Sequence, residues 1–185
     1  TTADLPLYVD DTPGLSIGEL RSRARQAHKR HGIDCIVVDY LQLMCCPSAG
    51  SREQEISAIS RGLKDVARSL RVPVVALSQL NRSVEQRENK RPRLSDLRES
   101  GAIEQDADLV AFLYRHSVYD ENFVYPTVAE LNVAKQRNGP IGKVHLHWQD
   151  DRVSFSSLDR DSARDYETHL QKVRTTAGRR ATDDL

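Results

Sequence analysis

The sequence lacks most of the features that mark secreted, membrane-spanning and zinc-binding proteins. Its three cysteines, Cys35, Cys45 and Cys46, are odd in number and include no Cys-x-x-Cys pair. Neither a disulfide framework nor a cysteine zinc site is therefore expected. No apolar run approaches the roughly 18 residues of a membrane helix, and no basic and apolar leader opens the chain. We expect a cytoplasmic protein with reduced thiols and no membrane partner.

An excess of charge of one sign is also missing, because 27 Lys and Arg balance 27 Asp and Glu in 185 residues. Zero net charge argues against a general polyanion-binding protein but leaves local patches open. A hydrophobic content of 38% is enough for one globular domain with a wide polar surface. From residue 159 onward the chain is poor in apolar residues. We therefore expect one domain over 1–158 and a weakly ordered or disordered tail over 159–185.

The order of the apolar segments predicts an α/β fold. Leu7–Asp10 is predicted to be a short strand, and two helices are predicted to begin after Ser16 and Ser51, which can cap them. The continuous apolar runs Cys35–Val38 and Val74–Leu77 are typical of parallel strands that are covered on both faces. Four further strands are predicted over 109–114, 128–135, 143–148 and 153–155.

Asp39 and Gln79 follow the ends of the two apolar runs. Parallel strands end at the same edge of a sheet, where ligands bind in open α/β folds, so the two side chains are expected there together. A strand-ending Asp can hold the magnesium that bridges nucleotide phosphates. A Gln beside it could order a metal-bound water and sense a phosphate. The alternative is that Asp39 starts an ordinary turn and Gln79 caps a strand.

Asn138-Gly139 predicts a hairpin turn, and Lys135 and Arg137 precede it at a spacing of two. Both cations are therefore expected on one face near the hairpin tip. An Arg that projects to a neighbour's phosphates acts as an arginine finger. A solvated cationic strand end is the alternative.

Residues 81–100 form a long polar connection of the kind that is usually functional or mobile. Five basic residues against two acidic ones give Arg82–Arg93 a local charge of +3. Behind it, Asp96–Gly101 combines an Arg, backbone N–H groups and a Gly that allows close approach, which suits a nucleic-acid phosphate. A helix start or a polar turn is the alternative.

Two other patterns do not meet the requirements of a site. Gly139–Lys143 has neither the spacing nor the hydroxyl of a phosphate loop. His145 and His147 share a strand face, but the sequence offers no third zinc ligand.

Four segments, taken in order, resemble the bacterial replicative DNA helicases of the DnaB family. They are VDYLQLM at 38–44, VVALSQLNR at 74–82, SDLRESG at 95–101 and KQRNGPIG at 135–142. Ile103–Asp108 fits as well, and the resemblance covers roughly residues 5–158. It implies the C-terminal RecA-like ATPase domain, with a mostly parallel central sheet flanked by helices and a C-terminal β-hairpin. The fold would be incomplete at its N-terminus, because the Walker A loop and the catalytic glutamate of the family are absent.

The resemblance implies an ATP-dependent DNA helicase that works as a homo-hexameric ring. It would unwind duplex DNA 5′ to 3′ on single-stranded DNA, with ATP and Mg²⁺ as cofactors and a helicase loader and primase as partners. Because the phosphate loop and catalytic glutamate are absent, we expect this chain alone to be inactive. A non-catalytic DNA-binding or assembly fragment, or another RecA-like ATPase, stays open as an alternative.

The same resemblance implies roles for individual residues. Asp39 would hold Mg²⁺ through water, and Gln79 would couple the nucleotide state to the DNA loops. Lys135, Gln136 and Arg137 would reach ATP bound on the adjacent subunit, with Arg137 as the finger. The residues implied in DNA binding are Arg82, Arg98, Glu99 and Gly101.

Overall fold

The computed structural model describes residues 5–183, apart from the side chains of residues 98–100 and 174–183. The chain divides into two units, Thr1–Ala107 and Asp108–Leu185. The division into one domain over 1–158 and a tail over 159–185 stays a prediction. Helices and strands are both present, and the α/β class is confirmed.

In the first unit, two long helices begin where their capping residues predict. Helix α1 (Ile17–His31) starts at Ser16, whose backbone N–H donates to the Glu19 carboxylate at 2.9 Å while its hydroxyl accepts from the Glu19 N–H. Gly32, at φ 64°, ends the helix in the left-handed conformation that glycine adopts easily. Helix α2 (Arg52–Leu70) is capped by Ser51. The residues that α2 buries lie on one stripe: Ile56, Ile59, Gly62, Leu63 and Val66.

Strands β1 (Ile36–Val38) and β2 (Val74–Ala76) pair in parallel, with α2 as the connection between them. The expectation that both faces are covered is wrong for the first unit as described. Val38 is buried, but Val37 is 65% exposed and its register partner Val75 is 51% exposed. Alternate side chains of a strand leave on opposite faces, so the face with Val37 and Val75 is open. On the other face Val38 is buried, while its register partner Ala76 is exposed.

Leu7–Asp10 does not form the predicted strand. Side chains attach this segment to α1 instead. Arg23 donates to the Asp10 carboxylate at 2.7 Å and to the Thr12 hydroxyl at 2.6 Å. The Tyr8 ring stacks on His31 with 4.3 Å between centroids. Among the residues that the structure describes, no strand pairs with this segment.

The second unit is built on an antiparallel sheet in the order β3-β4-β5-β6. Its strands are Leu109–Arg115, Val128–Gln136, Gly142–Gln149 and Ser154–Ser157. The predicted hairpin at Asn138-Gly139 joins β4 to β5 and is confirmed. The described residues thus contain one parallel pair in the first unit and three antiparallel pairs in the second. Short connections such as this hairpin allow only antiparallel pairing.

The segment after residue 158 differs most from the prediction. Helix α4 spans Arg160–Asp183, and Tyr166 within it is fully buried against the sheet. The Tyr166 hydroxyl donates to Glu130 Oε1 at 2.7 Å, and Lys143 Nζ donates to Glu130 Oε2 at 3.2 Å. The rings of Phe123 and Tyr125 pack edge-on against Tyr166. The low apolar content of this segment suggested disorder, but Tyr166 is buried and hydrogen-bonded to the buried Glu130 carboxylate.

None of the helices in the described residues is both long and apolar enough to cross a membrane.

Candidate functional site

The ends of β1 and β2 bring two of the predicted site residues to one edge of the parallel pair. Backbone hydrogen bonds continue past the strands, from the Leu77 N–H to the Val38 carbonyl oxygen and from the Leu41 N–H to the Leu77 carbonyl oxygen, both at 2.9 Å. Asp39 and Gln79 leave this edge, and both are exposed. The predicted placement is confirmed, while their roles remain predictions.

Gln42 joins the segment after Asp39 to Gln79, a contact that the sequence analysis did not identify. Its side-chain amide accepts from the Gln79 N–H at 3.1 Å and donates to the Gln79 carbonyl oxygen at 3.2 Å. The same amide nitrogen lies 3.1 Å from the Ser78 hydroxyl. Gln42 lies in the short 3-10 turn Leu41–Leu43, whose first residue is buried. The two ends of this contact are 37 residues apart, so no local pattern could have predicted it.

The polar connection after β2, of a length that is usually functional or mobile, is anchored in the structure. It contains two short 3-10 segments, Arg82–Gln86 and Leu94–Ser100. Each buries one apolar side chain, Val84 and Leu97 respectively. Asp96 is also buried and pairs with Arg87, at 2.7 Å between Nη2 and Oδ2.

The residues predicted to bind DNA lie within or beside these segments. Arg82 is exposed and begins the first of them. Arg98 and Glu99 belong to the second by their backbone, but their side chains lie outside the described residues. Gly101 begins the short helix α3 (Gly101–Asp106), so the alternative reading of a helix start also holds. A Cβ at Gly101 would meet open space, which leaves its surface accessible.

Lys135, Gln136 and Arg137 lie where β4 ends and the hairpin turn begins. The Arg137 backbone N–H donates to the Asp108 carbonyl oxygen at 2.9 Å, and its guanidinium lies 3.5 Å from the Asp108 carboxylate. The Arg137 side chain is still 45% exposed. A Cβ at Gly139 would approach the Gln136 side chain to 2.5 Å, so glycine leaves room for that side chain.

The side chains at the strand edge fit Mg²⁺ only when a nucleotide and water supply the other ligands. Within the described residues, no three His, Cys, Asp or Glu side chains gather as ligands for a metal. Asp39 offers a single exposed carboxylate. Mg²⁺ in nucleotide sites is held by one or two carboxylates together with phosphates and water. Asp39 therefore fits a water-mediated contact to a nucleotide-bound Mg²⁺ and not a metal site made by protein ligands alone.

Comparison with known proteins shows the family of the chain. Residues 1–157 match the family model of the DnaB-like helicase C-terminal domain. The chain is 51% identical over 156 residues to the replicative DNA helicase DnaC of Bacillus subtilis (strain 168), covering 83% of this chain and 34% of that protein. It is 54% identical over 164 residues to the replicative DNA helicase DnaB of Pasteurella multocida (strain Pm70), covering 86% and 35%.

A solved structure of a DnaB-like replicative helicase and its interactions with primase has a similar fold. The TM-score is 0.76 at 46% identity, over 81% of this chain and 36% of that one. The fold and the strand-edge residues thus define an α/β domain of the RecA-like helicase class. More specifically, the chain belongs to the DnaB-like helicase C-terminal domain family. It spans about a third of the length of the curated relatives that it matches.

Proposed function

We propose that this chain is part of the motor domain of a replicative DNA helicase. The complete protein would form a hexameric ring on single-stranded DNA and move 5′ to 3′ with ATP and Mg²⁺. The observation that best supports this is a continuous set of contacts in the first unit. Gln42 holds Gln79, and the Asn81 N–H donates to the Asp96 carbonyl oxygen at 3.2 Å. These contacts run from the strand edge that carries Asp39 to the segment that carries Arg98.

On the nucleotide side, the exposed Asp39 carboxylate would accept a hydrogen bond from water bound to Mg²⁺. The metal would neutralise the charge that develops on the phosphates. Gln79, held through its backbone by Gln42, would present its side chain beside that water. The sequence contains no Gly-x4-Gly-Lys-Ser/Thr loop. The phosphates would therefore be cradled by residues outside these 185, and this chain alone would not hydrolyse ATP.

The hairpin would act on the nucleotide of the adjacent subunit. Arg137 would place its guanidinium on the terminal phosphate, and Lys135 and Gln136 would bind beside it. In the structure the Arg137 guanidinium lies near the Asp108 carboxylate. We infer that a phosphate from the neighbouring subunit replaces Asp108 as its partner. Such a finger supplies positive charge where the transition state needs it.

On the DNA side, Arg82, Arg98, Glu99 and Gly101 would contact the sugar-phosphate backbone. Backbone contacts carry no sequence information, so binding should be largely independent of base sequence and strongly dependent on salt. The net charge of one chain is zero. Six copies of the +3 segment around one channel would nevertheless give the ring a positive interior.

Partners and location follow from the family. The structurally similar DnaB-like helicase interacts with primase, and this supports primase as a partner of the complete protein. A helicase loader and a cytoplasmic location rest on the family resemblance alone.

The direct test is ATP hydrolysis by the complete protein that contains this chain, measured with and without single-stranded DNA. We expect hydrolysis that requires Mg²⁺ and rises when single-stranded DNA is added. A protein that binds DNA but hydrolyses no ATP would instead be the non-catalytic module.

A further inference from the structure

An ion pair between the half-buried Arg87 and the buried Asp96 closes the long polar connection between β2 and α3. Asp96 is only 6% exposed, and its Oδ2 accepts from Arg87 Nη2 and from the backbone N–H of Arg93, each at 2.7 Å. The same Arg87 nitrogen donates to the Arg91 carbonyl oxygen at 3.2 Å. The Asp96 carboxylate thus holds both the Arg87 side chain and the backbone turn that begins at Arg93.

Asp96 also connects the strand edge to the segment proposed to bind DNA. The Asp96 carbonyl oxygen accepts from the N–H of Asn81, two residues after Gln79. On its other side, Leu97 is buried and Arg98 follows directly. Asp96 therefore sets the distance between the strand edge and the segment proposed to hold DNA.

Packing alone does not account for this pair. A buried carboxylate carries a large desolvation cost, and apolar side chains of similar size can stabilise a fold equally well. An ion pair with a second hydrogen bond to the backbone instead fixes one geometry. The connection around it has few buried apolar side chains of its own, Val84, Pro92 and Leu97. The ion pair therefore helps to fix the orientation of this connection, which has few buried apolar side chains to do so.

We propose that Arg87 and Asp96 are a positioning pair for DNA binding, acting through the segment Leu94–Gly101. The pair does not touch DNA; it holds the backbone that does. This inference rests on the proposed function, because it needs that segment to be the DNA-binding one.

The test uses the complete helicase carrying Asp96→Asn, with single-stranded DNA affinity measured at low salt. The substitution keeps the size of the side chain and removes one negative charge. If charge alone decided affinity, the variant would bind DNA more tightly. A positioning role predicts the opposite, a loss of about tenfold, which is typical of coupling between contacting residues.

Glu88→Gln is the matched control. It makes the same change of charge one residue from Arg87, at an exposed position. We expect this control to bind DNA as well as the wild type or slightly better. Equal losses in the two variants would overturn the proposal, because they would show an effect of charge in the segment as a whole.

Two further readouts separate positioning from general support of the fold. The nucleotide dissociation constant of Asp96→Asn should stay within about twofold of wild type, since the strand edge is unchanged. Arg87→Lys keeps the charge and should bind DNA with an affinity between those of Arg87→Gln and wild type. A joint loss of nucleotide affinity, DNA affinity and thermal stability would overturn the proposal in favour of a purely structural role.

Arg98→Ala distinguishes a failure of this inference from a failure of the proposed function. If Arg98→Ala weakens DNA binding and Asp96→Asn does not, the positioning pair is wrong and the DNA segment stands. If neither variant changes the affinity, both assignments are wrong. Loss of affinity in both variants, with the control unchanged, is the result we expect.

Discussion

Gln42 and Gln79 exchange two hydrogen bonds between the side-chain amide of one and the backbone of the other, at 3.1 and 3.2 Å. Beyond the end of β2, the Gln42 side chain thus makes the backbone hydrogen bonds that a neighbouring strand would otherwise make. The contact joins the segment after Asp39 to the residue proposed to respond to the nucleotide. A displacement of the segment after Asp39 would be transmitted to Gln79 through two hydrogen bonds instead of one.

Replacing Gln42 by Ala should therefore uncouple ATP hydrolysis from DNA in the complete protein. We expect the stimulation of hydrolysis by single-stranded DNA to fall about tenfold, with nucleotide affinity nearly unchanged. Gln42→Glu keeps the acceptor for the Gln79 N–H but loses the donor to its carbonyl oxygen, so an intermediate effect is expected. Full stimulation in Gln42→Ala would show that the contact plays no part in coupling.

Arg137→Ala should abolish ATP turnover while each subunit still binds nucleotide. The reason is that a finger stabilises charge in the transition state and acts here on the adjacent subunit; such residues contribute roughly 10³-fold or more to turnover. Steady-state hydrolysis and nucleotide binding are the two measurements. Arg152→Ala is a suitable control, because that side chain is 76% exposed and pairs with the neighbouring Asp151. Loss of nucleotide binding by isolated subunits of Arg137→Ala would contradict action in trans.

Tyr166→Phe should lower the free energy of unfolding of the second unit by about 2 kcal/mol. Its hydroxyl donates to the buried Glu130 carboxylate, and hydrogen bonds to charged groups contribute roughly 1.5–3 kcal/mol. Urea denaturation followed by circular dichroism measures the difference. Tyr8→Phe removes a hydroxyl from an exposed ring and should change little. Equal stability of the two variants would mean that α4 is not held through this bond.

Asp10 should titrate well below an ordinary aspartate. The hydrogen bond from Arg23, helped by Thr12, lowers the pKa of Asp10 from 3.8 to about 2. A lowered pKa in the folded state means that the carboxylate stabilises the fold above pH 4 and that this contribution is lost as the pH falls towards 2. A carboxyl NMR titration gives the pKa directly, and Arg23→Gln should raise the pKa of Asp10 towards its usual value, with the Thr12 hydrogen bonds still holding it somewhat lower. A pKa near 4 in the unmodified chain would show that the ion pair does not form.

The sequence predicts those parts of the structure that depend on neighbouring residues. Ser16 with Glu19 and Gly32 bracket α1, and Asn138-Gly139 marks the hairpin, because caps and turns are local chemistry. The edge shared by Asp39 and Gln79 follows from the parallel pairing of two apolar runs.

The remaining contacts depend on residues that are distant in sequence. The hydrogen bond from Gln42 to Gln79 joins residues that are 37 positions apart, and the one from Tyr166 to Glu130 joins residues that are 36 positions apart. The Gln42 contact has no periodic signal. Ala163, Tyr166, Leu170 and Val173 do recur at helical spacing. The low apolar content of the whole segment nevertheless favoured disorder in the prediction. The pairing of Arg87 with Asp96 was hidden for a different reason. The sequence pattern includes Arg87 in the charge of the polar connection and Asp96 in a candidate phosphate-binding segment, and nothing in it indicates that Asp96 is buried.

Strand separation by the complete protein is the measurement that tests the central claim most directly. Two partial duplexes, each with one single-stranded tail, are the substrates. The strand that the ring would encircle carries the tail at its 5′ end in one of them and at its 3′ end in the other. The account predicts separation that requires Mg²⁺ and ATP, depends on the 5′ tail and is lost in Arg137→Ala. No separation by the unmodified protein, or separation from the 3′ tail alone, would contradict it.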